Sequence, residues 1–81
     1  MNKNPSLVKL GSRVRKFRER IGISQEELAH NADLDRTYVG GVERGERNLG
    51  VLNLLRLAAA LGCSASTLLS GVALGKEASD R

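Results

Sequence analysis

Ser24-Gln25-Glu26-Glu27 forms a capping box, in which the Ser24 hydroxyl and the Glu27 carboxylate each satisfy a backbone amide left free at a helix start. A helix therefore begins here, with Leu28, Ala29 and Ala32 on its inner face. Asp33-Leu34 makes a short turn, and Asp35 stands where it can cap a further helix from Arg36 to about Arg44, stopped by Gly45. Val39 and Val42 turn inward from that second helix. Two helices joined by about three residues have the geometry of a helix-turn-helix.

The rest of the chain supplies a scaffold for this pair. Leu7, Leu10, Val14, Phe17 and Ile21 recur at helical spacing, and Gly22 closes that first helix as a left-handed cap. After the polar loop from Glu46 to Gly50, a long apolar helix runs from Val51 to Leu61 and stops at Gly62. Ser64 can cap a last short helix, Ala65 to Leu69, ahead of Gly71. The 81 residues suffice for one core and not two. The expected fold is therefore all-α, a compact five-helix domain over residues 7–72, with a flexible arm at 1–6 ending near Pro5 and a polar tail at 73–81. Phe17 and Tyr38 are the only aromatics, so the core must be aliphatic.

Charge and cysteine content narrow the function. The formal charge is +4, and residues 1–20 carry Lys3, Lys9, Arg13, Arg15, Lys16, Arg18 and Arg20 against Glu19 alone. That asymmetry fits a polyanionic partner whose counterions are released on binding; a solvated basic helix face is the alternative. Cys63 is the single cysteine, which excludes an intrachain disulfide and a cysteine-based zinc cluster and fits a reducing compartment. No apolar stretch approaches the roughly 20 residues of a membrane span, and the N-terminus lacks a secretion signal, so a cytoplasmic, nucleoid-associated location is expected.

The third helix is the element that can read a nucleic acid. Ala29 permits close approach of the second helix to the third, and Leu28, Leu34, Val39 and Val42 lock the pair. The outward face then carries Arg36, Thr37, Gly40 and Gly41 as candidate base contacts in a major groove about 12 Å wide. Arg36 can pair with guanine O6 and N7, and Thr37 can meet thymine or another base edge. Gln25, at a helix start among free amides, is a candidate phosphate contact, as are Tyr38, Arg44, Arg47 and Asn48. Two glycines inside one short helix cost about 1 kcal/mol each relative to alanine. They either admit a close approach to DNA or relieve crowding against the fourth helix. Arg18 and Glu43 can form a bridge that fixes the third helix to the first, or both can be solvated.

Residues 9–71 resemble the xenobiotic-response-element or Cro/CI-type helix-turn-helix family of phage repressors and bacterial regulators, combining SQEELA, RTYV, VERGERN and LLRLAAALG in order. The RTYVGGVERGERN segment is most similar to the controller proteins of restriction-modification systems, dimers that switch their own operon and the endonuclease gene. The resemblance implies that Gln25 and Arg44 contact phosphate, that Arg36, Thr37 and Gly41 face bases, and that Arg18 and Glu43 form an internal salt bridge. It also implies departures: Asp33 stands where the family usually has Gly, and Leu49 where it often has Pro.

The fourth helix carries more apolar surface than one core face requires, with Leu54, Leu57, Ala58 and Leu61 as its inner stripe. Leu49, Leu52, Leu55, Leu68, Leu69 and Val72 are left as a candidate dimer interface, unless the last short helix and the tail fold over this surface in a monomer. The expected protein is a sequence-specific regulator that binds double-stranded DNA as a homodimer on a (pseudo)palindromic operator, with room for two dimers on one site and RNA polymerase as a further partner. It needs no cofactor or metal, and an enzyme is not expected, since His30 and Cys63 stand alone and apart. A DNA-binding antitoxin or a phage-type repressor is the competing reading, while two aromatics are few for a single-strand stacking platform.

Overall fold

The computed structural model describes residues 3–74, so most of the expected tail lies outside the described residues. Its elements are α1 (Pro5–Arg20), α2 (Gln25–Ala32), α3 (Arg36–Glu43), α4 (Val51–Leu61) and α5 (Ala65–Leu68). The fold is all-α, as the periodicity requires.

Local signals account for most of the boundaries. The capping box is complete, with the Glu27 amide donating to Ser24 Oγ and the Ser24 amide to Glu27 Oε1, each at 3.0 Å. Asp33 ends α2 in the left-handed region at φ 58°, a conformation that an aspartate tolerates better than most residues. Asp35 occupies the N-cap position of α3, but its carboxylate makes no capping bond. Ser64 caps α5 by accepting from the Thr67 amide at 3.1 Å, and that helix ends one residue earlier than expected.

The N-terminal segment departs from the expectation of an arm reaching residue 6. Pro5 and Ser6 already belong to the first turn of α1, because Asn4 Oδ1 accepts from the Ser6 amide at 2.8 Å and proline at the first helical position has no amide to satisfy. Lys3 is also held, its Nζ donating to the Arg44 carbonyl at 2.8 Å.

The core is aliphatic: Leu10, Val14, Leu28, Ala29, Ala32, Val39, Val42, Leu57, Ala58, Leu61 and Leu68 are buried, with Phe17 and Tyr38 at its margin. Ile21, expected on the inner stripe of α1, is exposed, because it caps the helix end beyond the last turn that packs on the core. Leu68 is corrected in the opposite sense. It was expected to face a partner subunit, yet it is 0% exposed within this one chain. Leu68 joins the core with Leu57 and Leu61, and Arg13 fastens α5 to α1 there, its Nε and Nη2 donating to the Leu68 and Thr67 carbonyls at 2.8 and 2.6 Å.

What positions α3 most tightly is a pair of glycine contacts with α1. A Cβ on Gly11 would lie 2.2 Å from the Val42 carbonyl oxygen and 2.8 Å from that of Glu43. Gly45 has φ +77°, and a Cβ there would lie 2.7 Å from Val8 Cα. The backbones of α1 and the end of α3 thus touch without intervening side chains.

Candidate nucleic-acid interface

The fold leaves one end of α3 open and fastens the other. Val39 and Val42 are fully packed inside, while Arg36 and Thr37, in the first turn, are exposed to solvent. A short link from α2 sets where that turn emerges, since Leu34 donates its amide to the Ala29 carbonyl at 2.8 Å. Asn48 and Arg47, just beyond the helix, are exposed on the loop that follows.

The fastened end is held by a buried ionic cluster. Arg18 and Glu43 meet side by side, Nε to Oε2 at 2.6 Å and Nη2 to Oε1 at 3.0 Å, with their side chains only 13% and 3% exposed. Arg18 Nη1 also donates to the Ile23 carbonyl at 2.9 Å, tying the loop before α2 into the same cluster. The hydrogen bond to Glu43 raises Arg18 above the ordinary guanidinium range, with partial burial opposing it. Gln25 is the third member, its Nε2 donating to Glu43 Oε1 at 2.9 Å. A carboxylate can only accept, so it dictates which end of the Gln25 amide faces inward and leaves the amide oxygen toward α3. Gln25 is therefore an oriented, half-buried group and not a loose side chain at a helix start.

The other residues singled out in the sequence are spread around this frame. The Tyr38 hydroxyl accepts from Asn53 Nδ2 at 3.3 Å, which leans the ring toward the start of α4. Arg44 is exposed and pairs with Glu46 at 3.0 Å, and Lys3 reaches the same carboxylate at 3.7 Å. Hydrogen bonding from Arg44, with Lys3 adding to it, holds the Glu46 carboxyl below its usual range. Gly40 and Gly41, the other two candidate base contacts, are both buried within the chain. The atoms nearest to a Cβ at these positions belong to the Arg44, Arg47 and Gln25 side chains, so the closest crowding comes from these and not from α4.

Away from α3, the outer face of α4 carries Leu52 and Leu55 at 63% and 49% exposure, with Val51 and Leu69 also exposed. Leu49 and Val72 are half-buried against the core margin. Val51 was not singled out in the sequence, although its place one residue before Leu52 at the start of the helix makes it part of the same apolar surface. Gly11, Glu46 and Asn53 were missed as well, and Gly45 and Lys3, read only as a helix stop and a basic residue, were not expected to meet Val8 and the Arg44 carbonyl. Gly11 alone left a legible signal, being a glycine in the middle of a helix.

Residues 14–68 match the helix-turn-helix family model, and the chain belongs to this family in its Cro/CI-type branch. Proteins similar to it include controllers of restriction-modification systems and other helix-turn-helix regulators. The control protein C.MunI of a Mycoplasma species is 39% identical over 70 residues, spanning 85% of this chain and 95% of that protein. The restriction-modification controller protein C.AhdI of Aeromonas hydrophila superimposes with a TM-score of 0.76 at 53% identity, covering 76% of this chain and 94% of its own. C.Esp1396I, solved as a tetramer in complex with its natural 35 base-pair operator, gives a TM-score of 0.78 at 33% identity over 86% of this chain and 92% of that one.

Proposed function

We propose that this chain is a transcription regulator that binds double-stranded operator DNA sequence-specifically as a homodimer, and that it is the controller protein of a restriction-modification system. The observation that carries the reading is the exposed first turn of α3, with Arg36 and Thr37 outward, on a helix whose far end is clamped by Arg18, Glu43 and a backbone contact at Gly11.

In this reading α3 enters the major groove with its N-terminal turn deepest. Arg36 donates two parallel hydrogen bonds to guanine O6 and N7, and the Thr37 methyl or hydroxyl meets a neighbouring base edge. Arg44, Arg47 and Asn48 lie on the phosphates flanking the groove, and the oriented Gln25 amide takes a phosphate on the α2 side. Tyr38 adds a hydroxyl contact at the edge of this set. Two such heads related by twofold symmetry span successive grooves about 34 Å apart. The tetramer of C.Esp1396I on its operator supports two dimers on one site here. RNA polymerase is the partner through which occupancy would alter transcription, in the cytoplasm.

The test is footprinting on the DNA immediately upstream of the chain's own reading frame, where two protected half-sites are expected. Arg36→Ala should weaken operator binding by about 1–3 kcal/mol, relax the preference at one base pair per half-site and leave random DNA little changed. Equal losses on operator and random DNA would remove Arg36 from the reading set, and no protected site would sink the function itself.

A further inference from the structure

The two glycines of α3 are the feature the proposed function leaves unexplained. Both sit in the interior of an eight-residue helix, where glycine is the least favourable residue after proline. A Cβ built on Gly41 would meet Arg47 and nothing nearer, with Cγ at 2.8 Å, Nε at 3.2 Å and Cδ at 3.5 Å. A Cβ on Gly40 would meet Arg44 Nη1 at 3.1 Å and Gln25 Oε1 at 3.5 Å. The side chain of a helical residue covers the turn before its own Cα, so Arg44 naturally lies back over Gly40. Arg47 reaches Gly41 from beyond the helix end, where the left-handed turn at Gly45 is closed by the Glu46 amide donating to the Gly41 carbonyl at 2.9 Å.

We propose that Gly40 and Gly41 are positioning residues that act through arginine: they form two shallow seats in which the Arg44 and Arg47 side chains lie flat on α3, preset to meet the DNA backbone. This rests on the proposed function for its ligand, a backbone phosphate, and replaces the reading of the glycines as base contacts. An exposed arginine loses several rotamers when a phosphate fixes it, and a groove that already confines its stem reduces that loss. The seat at Gly41 is the stricter one, because a methyl group there strikes the middle of the Arg47 stem. At Gly40 only the far end of Arg44 must give way.

Gly41→Ala tests this against duplex DNA carrying the operator and against random duplex, alone and in an Arg47→Ala background. The melting temperature should change little, because the gain from alanine in a helix offsets the cost of turning the Arg47 stem, whose Cγ lies 2.8 Å from the added methyl group, out of the way. Affinity should fall by the same factor, about tenfold, on both DNAs, and the salt slope should drop by about one per protomer. In the Arg47→Ala background the same substitution should change nothing. In the free protein, the relaxation of the Arg47 Nε–H resonance should move from ordered to mobile in Gly41→Ala. A loss confined to the operator, an undiminished loss without Arg47, unchanged binding, or a lowered melting temperature would each overturn the seat. If the unaltered protein does not discriminate operator from random DNA, the proposed function fails, and the resonance still decides on the seat.

Discussion

Glu43 brings a carboxylate into the fold with both oxygens engaged, one taken by Arg18 Nε and the other shared by Arg18 Nη2 and Gln25 Nε2. A charge with so little exposure is tolerated because it is paired and its lone pairs are satisfied. The same group sets the direction of the Gln25 amide, so one side chain links the stability of the domain to the geometry of its surface. Removing it strands the Arg18 guanidinium in a half-buried site. Glu43→Ala should lower the free energy of unfolding by about 3–5 kcal/mol, measured by urea titration. A loss below about 1 kcal/mol, the range of exposed pairs, would mean that solvent reaches the cluster freely. The sequence allowed this bridge and equally allowed two solvated residues, because nothing local in Arg18 or Glu43 fixes how α1 and α3 cross. The participation of Gln25 was beyond it for the same reason.

At the scale of elements, what could be read in advance was whatever a helix announces in its own sequence. The capping box opens α2, Ser64 opens α5, Gly62 closes α4, and α3 and α4 begin where their flanking residues indicate. The failures fall where one helix meets another. Leu68 sits on a helix too short to show its inner face by spacing, and the packing of α5 on the core, with Arg13 bonded to its carbonyls, turns it inward. Asn4 signals a helix start through its side chain, one residue before the proline that suggested a boundary. The glycine contact between α1 and α3 is the largest such omission. Gly11→Ala would drive a methyl group into two backbone carbonyls that belong to α3 and cannot rotate away. We expect destabilisation of about 2–4 kcal/mol by chemical denaturation, although the same change in an isolated helix would be favourable by about 1 kcal/mol. A neutral result would show that α1 can slide on α3.

At the scale of the whole molecule, an exposed apolar surface stands on α4. Val51, Leu52 and Leu55 leave more oil in water than an isolated small domain of this charge needs. In the proposed homodimer, burial against a second copy would account for it and would supply the symmetry that a palindromic site requires. Leu52→Glu with Leu55→Glu should give a folded monomer by sedimentation, with unchanged helix content and sharply weaker operator binding. A dimer that survives both charges would move the interface elsewhere. The sequence exposed the surplus of leucine but not its division, since Leu49 and Val72 are spent partly on the core margin and Leu68 wholly on the interior. The bare-backbone junction at Gly11 has a further consequence for how such a protein changes its target. A joint without side chains offers nothing to trim or enlarge, so the tilt of the probing rod is a fixed mechanical setting. Under the proposed function, new operators would then be acquired by exchanging the tips at Arg36 and Thr37, one letter at a time, and not by re-aiming the whole tool.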